Sequence, residues 1–482
     1  MREQVIPGIL GDPCRGAEVR RIVLTGYRGT GKTEIGKILA AKLKLPFLDT
    51  DLLIEKKTGR SIPVIFREEG EEHFRGIERG VIASLPVADA VVSTGGGVVA
   101  DPANMEHLRR DSVIVLPTAG LDAIEARLAR SPRPPLTTLP LREEIAAMTE
   151  RRRRYYHASA DLCIDTSGIT PGAAADTILG RLAGGIPSEK QRHEGLAFFK
   201  TGRIPVPALR TLEEILAGKD RDPLTRILGV AGYPCAHSRG PALFNALFSR
   251  YHLNYHYTWF EDPDMGRIMA VARELDVKGL SVTIPFKHDV MQYVDAVEEE
   301  GARQIGAVNT VVFACGSATG YNTDWIGIRK PLAALRGARA VLLGAGGVAS
   351  AAAYALMDLD MEVTVLNRTP AHAEALAGRF GCSWGHWEDF DRIRPDLVVN
   401  ATPLGMEPDR RSPISPEQLR KEMTVFDLVY TPPVTPLIAA ARGAGCRTIT
   451  GTEMFIGQAR EQFSLYFGID VPEETMKEVI ER

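Results

Sequence analysis

Two glycine-rich turns, each placed where a β-branched run ends and a helical period begins, constrain this chain more than any other feature. The first, Gly26-Tyr27-Arg28-Gly29-Thr30-Gly31-Lys32-Thr33, follows RIVLT; the second, Gly344-Ala345-Gly346-Gly347-Val348-Ala349, follows RAVLL and opens SAAAYALM. A strand, a glycine turn and a helix start bring backbone N–H groups and the positive helix end together around an anion. Two such turns in opposite halves of 482 residues exceed what one core holds, so two or three domains are expected.

The surrounding pattern agrees. RIVLTG, PFLDTD, AVVSTGGG, SVIVLP and DLCIDT read as strands, separated by helical periods such as Thr33 to Leu43, with Ile35, Ile38, Leu39 and Leu43 on one face. A second series starts near Ile227 with RILGVAG and runs through KGLSVTIPF, AVLLGAGG, EVTVLNRT and DLVVNATP to MTVFDLVY. Such alternation predicts an α/β fold, with parallel sheets covered by helices on both faces. The expected division is a P-loop domain over 18–185, a linker over 186–225 and a second region over 226–482.

Composition excludes some classes. A 44% hydrophobic and 25% charged chain is globular rather than disordered. Its net charge of -3 argues against a nucleic-acid partner. The uncharged run from Ala340 to Met357 nears membrane-spanning length, but its glycines favour strand, turn and helix, so no membrane partner is expected. The N-terminus lacks the apolar stretch of a signal peptide. Six scattered cysteines without a CxxC pair predict neither a disulfide framework nor a zinc site, and a reducing cytoplasm as the location.

In the first turn, Gly26, Gly29, Thr30 and Gly31 shape a phosphate cradle, Lys32 can reach the β- and γ-phosphates, and the Thr33 hydroxyl can ligate Mg²⁺. Asp49 and Asp51 alternate at the end of PFLDTD, which places both carboxylates on one side of a strand, one for the metal shell and one for a substrate hydroxyl proton; capping a helix is the plainer alternative. Arg75 and Glu78 stand one helical turn apart, the spacing of a surface ion pair. Gly95-Gly96-Gly97 follows VVST and can approach an anion closely. Arg152 sits in a run of four arginines that alone reads as a solvated helix face.

GYRGTGKT, DTD, GE..FR..E, GGG, RPPL and R…Y…A.D occur in the order found in shikimate kinases, which the stretch from Arg21 to Leu182 resembles. The resemblance implies that Asp51, Arg75, Arg152 and the Gly95–Gly97 backbone hold shikimate. It puts Asp49 near the metal and Arg133 of a lid at the transferring phosphate. Pro135 departs from the family's leucine.

In the second half, Asn367-Arg368-Thr369 closes the strand after the glycine turn, where an acidic residue would take ribose hydroxyls; an arginine with short polar neighbours favours the 2′-phosphate of NADP(H). Ahead of the turn, blocks around Ser238, Ser281–Lys287, Asn309 and Asn322–Asp324 place hydroxyls, amides, a lysine and a carboxylate at the ends of apolar runs. Singly they read as turn chemistry; together they suit a polyhydroxylated acid, with Lys287 and Asp324 for proton delivery.

From Ile227 to about Ile480 the chain resembles shikimate dehydrogenases, with NATPLGM, DLVY..P..TPL and GTEMFIGQA matching as well. The resemblance implies Lys287 and Asp324 as the catalytic pair, and Ser238, Thr283, Asn309, Tyr430 and Gln458 around the substrate. Gly344 to Ala349 and Asn367 to Thr369 would bind NADP(H). The same resemblance implies the division of 226–482 into a substrate domain (226–332), a dinucleotide-binding domain (333–455) and returning C-terminal helices (456–482). The family's SxSP is here Ser238-Arg239-Gly240-Pro241. A missing charge-assisted hydrogen bond costs about 1.5–3 kcal/mol unless replaced, so a quinate-preferring dehydrogenase stays open. A binding protein with one inactive half is the other alternative, opposed by the presence of Lys32, Thr33, Asp51, Lys287 and Asp324. Together the resemblances imply reduction of 3-dehydroshikimate by NADPH and phosphorylation of shikimate by ATP with Mg²⁺. Residues 186–225 resemble the tail of a lost dehydroquinase domain.

Overall fold

Strands β1 (Arg21–Leu24), β2 (Phe47–Asp49), β3 (Ala90–Ser93), β4 (Ser112–Thr118) and β5 (Leu162–Asp165) pair in the order β2-β3-β1-β4-β5, every pair parallel. This computed structural model describes residues 21–480 except 87–88, 111, 131–136, 138, 184–225, 237 and 254. Every residue of β1 and β3 is buried, as parallel strands covered on both faces require. Val23 packs into one apolar cluster, Ile22 and Leu24 into another, which is the two-residue period of a strand dividing β1 between two helical layers. With β1 flanked by β3 and β4, the chain leaves it in opposite directions, and a crevice forms beyond its C-terminal end. The first glycine turn lies there.

A second sheet holds β6 (Arg226–Gly232), β7 (Tyr255–Glu261), β8 (Gly279–Val282), β9 (Ala296–Val297), β10 (Thr310–Ala314) and β11 (Ser317–Tyr321), in the order β7-β6-β8-β10-β11-β9. The third contains β12 (Arg339–Leu343), β13 (Glu362–Leu366), β14 (Ser383–Gly385), β15 (Leu397–Asn400), β16 (Thr424–Asp427) and β17 (Arg447–Ile449). Its order β14-β13-β12-β15-β16-β17 is wholly parallel, the doubly wound arrangement of a dinucleotide-binding domain. The run from Ala340 to Met357 is β12, a turn and the Gly347–Asp358 helix. No helix among the described residues is long and apolar enough to cross a membrane.

The described residues form two compact units: those within Met1–Leu280, with Val312–Ala318 and Phe463–Asp470, and those within Ser281–Val311, Thr319–Gln462 and Val471–Arg482. The expected linker over 186–225 lies outside the described residues.

Two expectations need correction. Cys163 of β5 and Cys315, in the turn between β10 and β11, form a disulfide with Cα atoms 4.9 Å apart across 152 residues. Their spacing carries no signal, because the fold alone makes them neighbours. Asp49 and Asp51 do not share a strand face either. β2 ends at Asp49, which caps the Thr50–Thr58 helix by accepting from Asp51 N (3.1 Å) and Leu52 N (3.4 Å), so Asp51 lies in a helical first turn.

Inside the first unit, the five-stranded sheet meets the β6–β7 region through buried charge. Asp161, just before β5, accepts from Ile114 N (2.8 Å), pairs with Arg109 (3.4 Å) and Arg226 (3.8 Å), and accepts from the Tyr255 hydroxyl. Lys278 Nζ donates to Ala160 O at 2.6 Å, and Arg109 donates to Ser159 O and Phe467 O. Burial alone would push the Asp161 carboxyl up, but Arg109, Arg226 and Lys278 outweigh it and hold the group below its ordinary value.

Candidate active sites

The first glycine turn has φ of +141° at Gly26, +83° at Gly29 and +91° at Gly31, a left-handed path that side chains disfavour. Thr30 Oγ1 donates to Tyr27 O at 2.8 Å and closes the loop. Lys32 Nζ donates to Gly26 O (2.7 Å) and Tyr27 O (2.9 Å), and Thr33 Oγ1 lies 3.2 Å from Asp49 Oδ2. The cap and the metal reading of Asp49 are thus compatible: Oδ1 holds the helix start and Oδ2 faces Thr33. A hydroxyl beside a carboxylate at a phosphate cradle is an oxygen donor set that fits Mg²⁺.

The triple glycine turn packs against this loop. A Cβ on Gly96 would lie 3.2 Å from Gly26 O; one on Gly95 would meet Asp51 Oδ1 at 2.8 Å, and one on Gly97 would meet Arg75 Nη2 at 2.4 Å. The turn is therefore glycine because a carboxylate and a guanidinium press directly on its backbone. Arg75 emerges from the Ile62–Ala83 helix beyond its break at Gly70 (φ +81°) and pairs with Glu78 at 2.8 Å and Glu71 at 3.0 Å. Glu78 is buried, so this is no surface pair; burial pushes its carboxyl up while Arg75 pulls it down. Arg152 leaves the Leu141–Ser159 helix and donates to Gly96 O at 3.2 Å. Asp51, Arg75, Arg152 and Gly95–Gly97 thus converge beside Lys32, while Arg133 lies outside the described residues. Tyr156, the tyrosine of the R…Y…A.D stretch, to which the sequence assigned no role, donates to Gly96 O at 2.7 Å from one helical turn after Arg152.

In the second unit, Lys287 Nζ lies 2.6 Å from Asp324 Oδ2. Asp324 opens the Asp324–Leu332 helix, and its other oxygen accepts from Asn309 Nδ2 at 2.7 Å. Asn309 Oδ1 in turn accepts from Thr323 N and Thr310 Oγ1, both at 2.8 Å. Thr323 Oγ1 reaches Gln458 Oε1 at 3.4 Å. Gln458 gets this close because Gly457 lets the Gly451–Phe467 helix touch Gly327, where a Cβ would fall 2.8 Å from the Gly327 Cα. Gln462, one turn further and unforeseen, receives Ser281 Oγ at 2.8 Å and donates to Thr310 Oγ1 at 2.9 Å; its four-residue spacing from Gln458 marked it. Thr283 lies just past β8, its carbonyl accepting from Phe286 N, and Tyr430 stacks on Phe455 with centroids 5.1 Å apart. Ser238 belongs to the first unit, where its Oγ accepts from Gly240 N at 3.2 Å. A Cβ on Gly240 would lie 3.3 Å from both Ser238 Oγ and a Tyr257 ring carbon.

The second glycine turn fits a dinucleotide. Gly344 has φ +105°, and a Cβ there would press on Ala401 O at 3.0 Å, whereas beyond Gly346 nothing lies within 4 Å. That open space adjoins the N-terminus of the Gly347–Asp358 helix, ahead of Val348 and Ala349. Ala345 is half-buried in the loop. At the end of the neighbouring β13, Asn367 Nδ2 donates to Thr369 O at 2.9 Å and Arg368 is exposed, a cation available to a 2′-phosphate.

Comparison with known families matches residues 28–183 to shikimate kinase and 230–311 to the shikimate dehydrogenase substrate binding domain. Residues 328–449 match shikimate / quinate 5-dehydrogenase, and 451–481 the shikimate 5′-dehydrogenase C-terminal domain. The NADP(+) shikimate dehydrogenase of Pyrococcus abyssi is 38% identical over 259 residues, covering 53% of this chain and 97% of its own. The Thermus thermophilus shikimate 5-dehydrogenase in complex with NADP(H) and shikimate is 33% identical, with a TM-score of 0.50 over 54% of this chain and 99% of that one. Quinate dehydrogenase from Corynebacterium glutamicum in complex with NAD is equally similar, at 33% and 0.50 over 53% and 99%.

Proposed function

The chain belongs to the shikimate dehydrogenase family through its C-terminal half and carries a shikimate kinase domain ahead of it, and from this premise we infer how its residues divide the work. It is a bifunctional enzyme that reduces 3-dehydroshikimate with NADPH and phosphorylates shikimate with ATP and Mg²⁺. The product of one half is the substrate of the other. The working division follows 18–185 for the kinase and 226–332, 333–455 and 456–482 for the dehydrogenase.

One observation carries the dehydrogenase assignment: Lys287 and Asp324 in contact, with Asp324 held from behind by Asn309. Bound NADPH supplies the hydride. Lys287 gives its proton to the ketone oxygen, and Asp324, 2.6 Å away, holds the ammonium in place. Asn309 and Thr323 keep the Asp324 carboxylate oriented, while Thr283, Tyr430 and Gln458 hold the ring's hydroxyls and carboxylate. Gly344–Ala349 and Asn367–Thr369 hold the cofactor.

In the kinase half, ATP with Mg²⁺ supplies the phosphoryl group. Gly26, Gly29, Thr30 and Gly31 cradle its phosphates, Lys32 neutralises developing charge, and Thr33 and Asp49 hold the metal. Asp51 accepts the proton of the attacking hydroxyl, and Arg75, Arg152 and Gly95–Gly97 fix the substrate. Arg133 acts at the transferring phosphate.

Purified chain supplied with dehydroshikimate, NADPH, ATP and Mg²⁺ should make shikimate 3-phosphate. Lys32→Ala should halt the sequence at shikimate, and Lys287→Ala should halt it before NADPH is consumed. Comparing NADP⁺ reduction by quinate and by shikimate tests the quinate alternative that Gly240 raises. Equal NADPH consumption by Lys287→Ala and wild type would refute the dehydrogenase site.

A further inference from the structure

His288 follows Lys287 directly, yet no step of the ketone reduction uses it. Its Nδ1 lies 2.7 Å from Gly306 O. A carbonyl only accepts, so Nδ1 carries the hydrogen and Nε2 is the nitrogen turned outward. It is turned toward the second glycine turn: a Cβ on Gly347 would lie 3.7 Å from Nε2. Gly347 opens its helix, where backbone N–H groups lack intrahelical acceptors.

The ring is also braced from the dinucleotide-binding side. Arg379 Nη2 donates to Gln304 O at 2.9 Å and lies against Gly306, where a Cβ would fall 2.2 Å from it. The carbonyl that fixes Nδ1 is thereby pinned by the Pro370–Phe380 helix. All of these residues belong to the second unit.

A dinucleotide brings two kinds of anion to this domain. Arg368 stands where a 2′-phosphate would lie, and Lys287 is engaged by Asp324. The diphosphate at the glycine turn would meet backbone N–H groups and the side chain opposite them. We propose that His288 is a cofactor-positioning residue, whose Nε2, once protonated, donates to the diphosphate of NADP(H) across the turn from Gly347. The segment that carries the proton donor then also grips the cofactor, which ties the placement of Lys287 to cofactor docking. This rests on the dehydrogenase reading above.

Direct binding to the full chain, followed by calorimetry without substrate, tests it with two probes: NADP⁺, and adenosine 2′,5′-bisphosphate, which has the 2′-phosphate but no diphosphate. His288→Ala should weaken NADP⁺ about tenfold and the bisphosphate less than about twofold, the size of one charge-assisted contact. His288→Lys should recover most of the NADP⁺ affinity and His288→Gln should not, with all three variants melting at the wild-type temperature. Arg368→Ala should weaken both probes alike. Unchanged NADP⁺ affinity in His288→Ala, or equal losses for both probes, overturns the proposal while leaving the dehydrogenase reading intact. Failure of the wild-type chain to bind NADP⁺ would instead overturn both.

Discussion

At the scale of single residues, Gly97 is the sharpest probe of the kinase site. Its φ is ordinary, so Gly97→Ala strains no backbone, but the added methyl would sit 2.4 Å from Arg75 Nη2. The guanidinium must move, and the KM for shikimate in the kinase reaction should rise at least about tenfold, while steady-state reduction of dehydroshikimate stays unchanged. Lys287→Ala should lower kcat for reduction by roughly a hundred- to ten-thousand-fold with the KM for NADPH within a few-fold, as loss of general acid catalysis does. Asp427 gives a pH-dependent case. Burial pushes its carboxyl up to about 6, against bonds from Thr435 Oγ1, Val429 N and Asn400 Nδ2. The folded chain holds that proton more tightly than the unfolded one, where a carboxyl titrates near 4. The contribution to stability is full below about pH 4 and is lost as pH rises through about 6. Relative to Asp427→Asn, wild-type unfolding free energy in urea should decline by on the order of 2 kcal/mol from pH 4 to pH 7. Residues such as Arg75 and Lys287 were legible because their motifs fix type and spacing. Tyr156 and Asn400 were not legible in their bonding roles, since those depend on neighbours 60 and 27 residues away.

Among elements, strand ends followed by glycine turns were the readable part, because a buried parallel strand is a plain apolar run and a phosphate turn needs glycine at set places. The short β9 and the β10–β11 hairpin were not, since neither has a distinctive period. The boundary at Asp49 shows why two residues make a difference. Ending β2 there turns the aspartate into a helix cap and moves Asp51 onto a different element. Asp49→Asn keeps a capping acceptor, so its melting temperature should stay close to wild type, while the Mg²⁺ concentration giving half-maximal kinase rate should rise several-fold. Asp49→Ala should show the same Mg²⁺ effect and lose about 1 kcal/mol of stability as well. A normal Mg²⁺ requirement in both would confine Asp49 to capping.

For the molecule as a whole, what the sequence did not disclose is the charged seam inside the first unit and the disulfide in the same unit. Cys163 belongs to no motif, and its partner Cys315, like the Arg226 and Tyr255 partners of Asp161, comes from beyond the 186–225 segment. Asp161→Ala would leave Arg109 and Arg226 buried without their shared carboxylate, a change that costs about 3–5 kcal/mol in comparable cases, visible as a lower urea midpoint. Adding a reductant should lower the melting temperature of the wild type and leave that of Cys163→Ser unmoved.

The seam has a practical corollary for anyone dissecting the gene. Arg109 and Asp161 are solvated in neither half of the intact chain, and Arg226, Tyr255 and Lys278 are matched to them. Expressing the kinase or the dehydrogenase as a free-standing product would bare a patch built for an interior on each excised piece. Truncation should therefore yield poorly behaved fragments until that patch is redesigned for water, and the fusion, once made, is hard to undo by deletion alone.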